Sequence, residues 1–394
     1  MMGIRTRTLV AGFLLAVVCF LLGYYVAPVI EPVFVPPQSA NFSADDWQLF
    51  SEVEKKISTE FLEKDISSRT LMNGSLGGMV SSLGDPYSQY QDPTAYSDWT
   101  SQISGTYGGI GMELGSKDNR PTVMSVFPNS PAEQAGIRSG DHFVKIDDTV
   151  ASELSISEIA TRARGPVGSQ VKLMMERGGE ILSYTLTRSQ IIVQSVSGRM
   201  LKDGIGYIRL LGFKDQTADD FAKLLDSLSR QGINKLLLDL RQNPGGLLSS
   251  VIDVASYLVP ANQTIVIIED RDGNKKVSHS TPFTPKYSLP MVVLIDGGSA
   301  SAAEILAGAL RDQHLATLVG EKSFGKGIVQ TSFQLSQGSA LVITTARYLT
   351  PSGESIHGKG ITPDVQVVPT AEETQAGKDP AFDRGLAILE PATP

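Results

Sequence analysis

From Gly204 onward the chain alternates apolar runs of strand length with segments of helical pattern, and this alternation limits the fold more than any other feature. IGYIRL, KLLLDL, TIVIIED, MVVLID, ATLVG, IVQTSFQL and SALVITTARYL read as strands. ADDFAKLLDSLSRQG, LLSSVIDVASYL and SAAEILAGALRDQ read as helices. Strands joined through helices form parallel pairs with helices on the sheet faces, so this region is expected to be an α/β layer with a largely parallel sheet.

The preceding block, residues 105–188, has a different grammar. Short strands, glycine turns and two small helices predict a compact, partly open β-barrel of roughly 80–90 residues. Residues 45–79 show helical periodicity, with Trp47, Phe50, Val53, Ile57 and Phe61 on one face. The turn chemistry of SLGDPYSQYQDP ends that stretch. After the last strands, AEETQAGKDPAFDRGLAILE reads as a polar tail with one short helix. At 394 residues the chain has room for more than one core.

Residues 8–30 carry no charge, which is long enough to cross ~30 Å of hydrocarbon as a helix. Arg5 and Arg7 precede the run, so the N-terminus is expected to stay cytoplasmic and the remainder to be exported. A cleaved signal peptide would need a small-x-small site, and YYVAPVIEP offers a poor one, which favours an uncleaved anchor. The prolines of EPVFVPPQSAN then suit a semi-rigid spacer. The one cysteine, Cys19, lies inside the apolar run, so disulfides, thiolate metal sites and thiol nucleophiles are excluded from the rest of the chain. Phe20 follows it where a lipoprotein signal wants a small residue. The net charge of −8 and the lack of a long basic run argue against a nucleic-acid groove.

Three places could do chemistry. In MVVLIDGGSASAAEILAGALRD an apolar strand ends in two glycines and a helix begins near Ser301. A side chain there stands at the edge of the sheet and at a helix N-terminus, where free N–H groups favour a developing oxyanion. Ser299 and Ser301 fit that pattern equally, and a serine before a helix is most often a plain cap. In LVGEKSFGKGIVQTSF, Lys326 stands between Gly325 and Gly327. It could serve as a base if burial lowered its pKa; the alternative is a solvated loop lysine. Gly320, Gly325 and Lys326 nearly spell a phosphate-binding loop, but Gly327 replaces the required hydroxyl residue and a strand follows where a helix must open. In LLLDLRQNPGGLLSSV, Gly245 and Gly246 could bring a backbone N–H against a substrate carbonyl. Together these supply a nucleophile, a base and an oxyanion donor, the serine–lysine form of the triad logic. The histidines, His142, His279, His314 and His357, offer neither a patterned base nor metal-ligand spacing.

These motifs resemble the carboxyl-terminal processing (tail-specific) serine peptidases. SLGDPYSQYQDP resembles the family's segment ahead of its PDZ domain, and YGGIGMEL, SPAEQAGIRSGD and RGPVGSQVKL resemble that domain. DLRQNPGGLL, GSASAAEILAGALRD, GEKSFGKGIVQ and TARYLTPSGESIHGKGITPDV resemble the peptidase core. The resemblance implies that Ser301, three positions before Glu304 in the SASxxE motif, is the nucleophile. It implies Lys326 as the base, Gln330 as the residue that orients the lysine, and the backbone N–H groups of Ala302 and Gly246 as oxyanion donors. Asp296 and Ala303 depart from the family's commonest asparagine and serine.

The implied fold is a crotonase-like α/β core with an inserted PDZ domain, a helical N-terminal region and one N-terminal transmembrane helix. The corresponding divisions are 1–30 for the stub and anchor, 31–44 linker, 45–104 helical region, 105–190 PDZ domain, 191–368 peptidase core and 369–394 tail. The implied partners are protein substrates with apolar C-termini, whose carboxylates meet the loop Gly109, Ile110, Gly111, Met112 as the peptide adds to a sheet edge. In some relatives an arginine of the PDZ domain couples tail binding to assembly of the catalytic site, and Arg164, with Arg162 as its near rival, is implied in that role. The membrane is a partner through the N-terminal helix, with the catalytic part on the periplasmic side of a bacterial cytoplasmic membrane. A second copy of the chain or an activating adaptor is a further candidate. No cofactor, metal or nucleic acid is called for. Two other readings are a PDZ-bearing scaffold with an inactive core, which intact Ser301, Lys326 and Gln330 oppose, and an acyl-CoA enzyme on a crotonase-like core, where an anchor and a PDZ domain have no use.

Overall fold

The computed structural model describes residues 42–282 and 287–390. The anchor expected at 8–30 and the spacer at 31–41 lie outside the described residues. Among the described residues no helix is long and apolar enough to cross a membrane. The chain divides into two units, 1–72 and 73–394.

In the first unit, α1 (Ala44–Glu60) starts at Ser43, whose Oγ accepts the Asp46 N–H while the Asp46 carboxylate accepts the Ser43 N–H. The helical periodicity over 45–79 is divided between two helices, because α1 ends at Phe61 in extended backbone and α2 (Ser68–Ser81) begins after Ser67. The Ser67 Oγ accepts the Arg69 N–H, a second start signal inside the periodic region.

The second unit begins within α2 and continues with β1 (Gln89–Gln91) and α3 (Pro93–Ser104), capped by the Asp92 carboxylate and stopped by Gly105. The PDZ-like block follows. Its elements are β2 (Thr106–Gly109), β3 (Met112–Lys117), β4 (Arg120–Val126), α4 (Pro131–Gln134), β5 (His142–Ile146), β6 (Thr149–Val150), α5 (Ile156–Ala163), β7 (Gln170–Arg177), β8 (Glu180–Thr187) and β9 (Ser189–Ile192). β3, β4, β5, β7 and β8 form one antiparallel sheet with β6 on β5, while β2 and β9 pair as a separate ribbon. Val123, Ile146, Ile159 and Met175 fill its core and are wholly buried.

The remaining elements are β10 (Val196–Met200), β11 (Ile205–Leu210), α6 (Thr217–Arg230), β12 (Lys235–Asp239), α7 (Leu248–Leu258), β13 (Thr264–Asp270), β14 (Lys275–His279), β15 (Met291–Ile295), α8 (Ala302–Asp312), β16 (Ala316–Gly320), β17 (Ile328–Gln334), β18 (Ala340–Leu349), β19 (Val365–Gln366), α9 (Ala371–Gln375) and α10 (Pro380–Leu389). One sheet runs β10-β11-β12-β15-β16-β19 and is parallel except between β10 and β11. The expectation of a largely parallel sheet holds for this layer but not for β13, β17 and β18. Those strands form a second, antiparallel sheet with β14, which β1 joins at the β18 edge. The physical difference was in the side chains. KLLLD and MVVLI are apolar on both faces, as a covered parallel strand must be, whereas IVQTSFQ mixes Gln, Thr and Ser with its apolar residues and stays half-exposed.

The stretch expected to be a polar tail is also more than that. α10 packs on one face of the parallel sheet, with Gly385 close against Leu237, Val292 and Leu294 and with Leu389 buried. Phe382 stands edge-on to Tyr207, and Asp379 pairs with Arg241 at 2.6 Å. The opposite face is covered by α6, α7 and α8.

Candidate active site

β15 delivers the chain to Asp296 at the end of the parallel sheet, and Gly297 and Gly298 turn it back. Ser299 is buried there. Its Oγ donates to the Leu240 carbonyl at 2.8 Å and accepts the Asp296 N–H at 3.0 Å, so its hydroxyl serves the turn. Ser301 has a different environment. It is partly exposed and adopts φ 54°, ψ −116° immediately before α8. A residue with a β-carbon reaches that region only under strain that its surroundings must hold.

Several contacts hold it. The Ser301 N–H donates to Glu304 Oε2 at 2.9 Å, and its carbonyl accepts the Tyr348 hydroxyl at 3.0 Å. Against its other side lies Gly245, where a β-carbon would stand 2.7 Å from Ser301 Cβ and 2.8 Å from Ala302 N. Gly246 is equally confined: φ is 144° and a β-carbon would meet the Phe213 carbonyl oxygen at 2.0 Å. Asn243, wholly buried, locks this turn to its neighbours. Its Nδ2 donates to the Leu210 carbonyl and its Oδ1 accepts the Gly245 N–H, both at 2.9 Å. Its backbone carbonyl accepts the Ala300 N–H at 2.9 Å. Among the described residues, the N–H groups of Ala302 and Gly246 have no hydrogen-bond acceptor.

Lys326 lies in the loop between β16 and β17. Its N–H donates to the same Glu304 Oε2 at 2.9 Å, and its carbonyl accepts the Tyr348 hydroxyl. Glu304 is buried, and its Oε1 accepts the Ser323 hydroxyl at 2.6 Å and the Gly325 N–H at 2.8 Å. Four donors around one carboxylate offset the cost of burying it. Burial, with the Glu304 charge beside it, pushes the Tyr348 hydroxyl up and keeps it a donor. Burial lowers the Lys326 pKa from the ordinary lysine value, against a smaller opposing pull from Asp85. The ammonium stands 4.8 Å from the centroid of the Tyr87 ring. Gln330 on β17 donates from Nε2 to Thr344 Oγ1 at 3.3 Å. Ser301, Lys326 and Gln330 line one cleft of about 840 Å³, shared with Tyr87, Trp99 and Lys214. Among the described residues neither Lys326 nor Gln330 is hydrogen-bonded to Ser301.

The loop Gly109, Ile110, Gly111, Met112 closes β2 and opens β3, and all four residues are buried. A groove of about 450 Å³ runs between β3 and α5, lined by Ile110, Met112, Leu114, Phe127, Ile156 and Ala160. Arg164 caps α5 and lies 5.0 Å over the Tyr107 ring, on the wall of that groove. It also lines a small neighbouring cavity with Tyr107 and, from the core, Lys214. Arg162 is exposed and lines neither that groove nor that cavity.

Sequence reading passed over Tyr87, Asn243 and Tyr348, and it used Glu304 only as a landmark. Glu304 did leave a signal, since an acid among the apolar residues of AAEILAGAL falls on a helix buried on every side. Tyr87 and Tyr348 come from strands and turns distant in the chain, and only the antiparallel sheet brings them to the lysine.

Comparison with known proteins places the chain in a family. The profile described as Peptidase family S41 matches residues 204–367, the PDZ domain profile matches 108–187, and that of the activating protease CtpB N-terminal domain matches 35–95. The carboxy-terminal processing protease CtpB of Bacillus subtilis is 36% identical over 339 residues, 84% of this chain and 70% of the relative. The carboxyl-terminal-processing protease of Synechocystis is 35% identical over 332 residues, 82% of this chain and 76% of the relative. A crystal structure of a Bacteroides fragilis chain assigned to the S41 proteases shares the fold at 15% identity, with a TM-score of 0.53 over 90% of this chain and 100% of that one. These matches define a serine-type peptidase with a PDZ domain. Within that class, the chain belongs to the carboxy-terminal processing proteases of peptidase family S41.

Proposed function

We propose that the protein is a serine endopeptidase in which Ser301 is the nucleophile, Lys326 its general base and Gln330 the residue that orients the lysine. The observation that carries this reading is the strained turn at Ser301, set at the N-terminus of α8 beside the unpartnered N–H groups of Ala302 and Gly246. Neutral Lys326 takes the Ser301 proton as Oγ attacks the scissile carbonyl. The Ala302 and Gly246 N–H groups hold the oxyanion, helped by the helix terminus. The lysine then protonates the departing amine, leaving an acyl-enzyme that water releases. The lowered Lys326 pKa supports the role, because a base must shed its proton near working pH.

Substrates in this reading are exported proteins with apolar C-termini. Their tails add to β3 in the groove, with the terminal carboxylate at Gly109, Ile110, Gly111 and Met112 and the last side chain among Ile110, Met112 and Ala160. Arg164, placed between the groove and Lys214 of the core, suits the coupling role better than Arg162. The layered core is read as crotonase-like. The chain is anchored by residues 8–30 in a bacterial cytoplasmic membrane with the catalytic part outside, on the charge pattern of the N-terminus. An adaptor or a second copy of the chain is a further partner.

The test follows cleavage of an unstructured protein ending in Leu-Ala-Ala by the full-length chain. Turnover is expected in the wild type and in Ser299→Ala, and its loss in Ser301→Ala and Lys326→Ala. Activity surviving in Ser301→Ala would overturn the mechanism.

A further inference from the structure

The turn 85–88 looks at first like a helix stop, yet it carries an aromatic ring to the candidate base. Two sets of bonds fix it. The Asp85 carboxylate accepts the Tyr87 N–H at 3.1 Å and the Ser88 hydroxyl at 2.6 Å. Ser88 Oγ accepts the Thr344 N–H of β18 at 3.1 Å, and β1 continues along the same strand, with Gln89 opposite Val342 and Gln91 opposite Ala340. β18 also carries Tyr348, whose hydroxyl meets the Lys326 carbonyl. The ring of Tyr87 and the backbone of Lys326 are therefore held against one strand.

Lys326 Nζ lies within cation–π range of that ring. No ion pair among the described residues involves it. Of the charged and titratable groups around it, Lys214 lines the same cleft. Asp85 favours the ammonium from the same turn, and Glu304 and Tyr348 touch the lysine's backbone. His357 acts on Asp85, and burial works against the charge.

An aromatic face attracts an ammonium and does little for a neutral amine. We propose that Tyr87 is a positioning residue for the general base: its ring seats Lys326 in the charged form, out of hydrogen-bond contact with Ser301, so that the lysine turns to the serine only after its proton has passed to water in the cleft. The inference rests on Lys326 being the base. It assigns to the segment ahead of the PDZ domain a part in the chemistry of the core. Tyr87 also lines the cleft, so a substrate entering there competes for the same ring.

The proposal fixes the direction of a pH shift. A ring that stabilises the ammonium raises the pKa of the base, and activity that needs the neutral amine rises with pH through that value. Removing the ring lowers the pKa and moves the acid limb of kcat/KM to lower pH.

The experiment measures kcat/KM against pH for the full-length chain and the Leu-Ala-Ala substrate. Wild type and Tyr87→Phe are expected to share an acid limb, and Tyr87→Leu to shift it down by about one pH unit. A limb unmoved in Tyr87→Leu, or moved as far in Tyr87→Phe, overturns the proposal. If Tyr87→Leu does not fold, phenylalanines of increasing fluorination at position 87 keep the shape and drain the ring's charge. The limb is then expected to step downward along the series, and a flat series overturns the proposal. Lys326→Ala separates the two levels. Activity in that variant refutes Lys326 as base, whereas an inactive Lys326→Ala with a flat ring series refutes only the role of Tyr87.

Discussion

Glu304 and Tyr348 close a ring around the candidate dyad: the carboxylate accepts the N–H groups of Ser301 and Lys326, and the hydroxyl donates to the carbonyls of the same two residues. The spacing between nucleophile and base is thus carried by backbone.

Glu304→Gln is expected to break that ring, because an amide NH₂ would face N–H donors. Stability should fall by about 2–4 kcal/mol. Turnover should fall on the order of a hundredfold, since a small misplacement of reacting groups is enough to cost that much. Denaturant unfolding and kcat on the unstructured substrate check both. An unchanged kcat would show that the backbone clamp does not matter.

Ser299 and Ser301 should separate stability from catalysis. Ser299→Ala loses the bond to Leu240 and the acceptor for Asp296, which predicts a loss of about 1–3 kcal/mol with turnover retained. Ser301→Gly should do the reverse. Glycine relieves the positive φ, so unfolding free energy is expected to rise by about 1 kcal/mol while turnover disappears. Thermal melts beside a cleavage assay distinguish the two patterns.

Gly246→Ala is expected to fail for lack of space. Its new methyl group would meet the Phe213 carbonyl at 2.0 Å, and that carbonyl is already bonded to the Leu247 N–H. A loss of about 2–3 kcal/mol is expected, together with reduced kcat at unchanged KM if the turn donates to the oxyanion. The same assays, run at a temperature where the variant is folded, read the split.

Acid should weaken the PDZ domain through Asp141. Burial alone would raise that carboxyl, but the bonds from Arg177 at 2.6 and 2.7 Å outweigh it and hold the pKa below the usual range. A depressed folded pKa gives stability that is complete above the unfolded value near ~4 and is lost as pH falls through the folded value. Between about pH 5 and 2 the wild type should therefore lose more Tm than Asp141→Asn, as scanning calorimetry would show. Equal losses would remove Asp141 from the account.

Much of this was legible in advance because the informative positions are local. The glycine pair before α7 and the glycines around Lys326 mark close approaches of backbone, and each sits within a few residues of the group it serves. The second sheet was harder to see, since pairing β1 with β18 joins segments about 250 residues apart and no short window contains it. Helix α10 was obscured by its polar flanks, although the buried strip of Ala381, Gly385 and Leu389 keeps helical spacing. Tyr87 carried no signal at all by itself; its meaning depends on a lysine reached through β18.

β2 and β9 lie side by side, Thr106 opposite Ile192 and Gly109 opposite Ser189. The PDZ domain therefore leaves and rejoins the chain at a single doorway, and everything between those strands can be exchanged without stretching a loop of the peptidase. A lineage could fit a different recognition module to the same cutting machine, or lose it altogether, while the sheet that holds Ser301 kept its register.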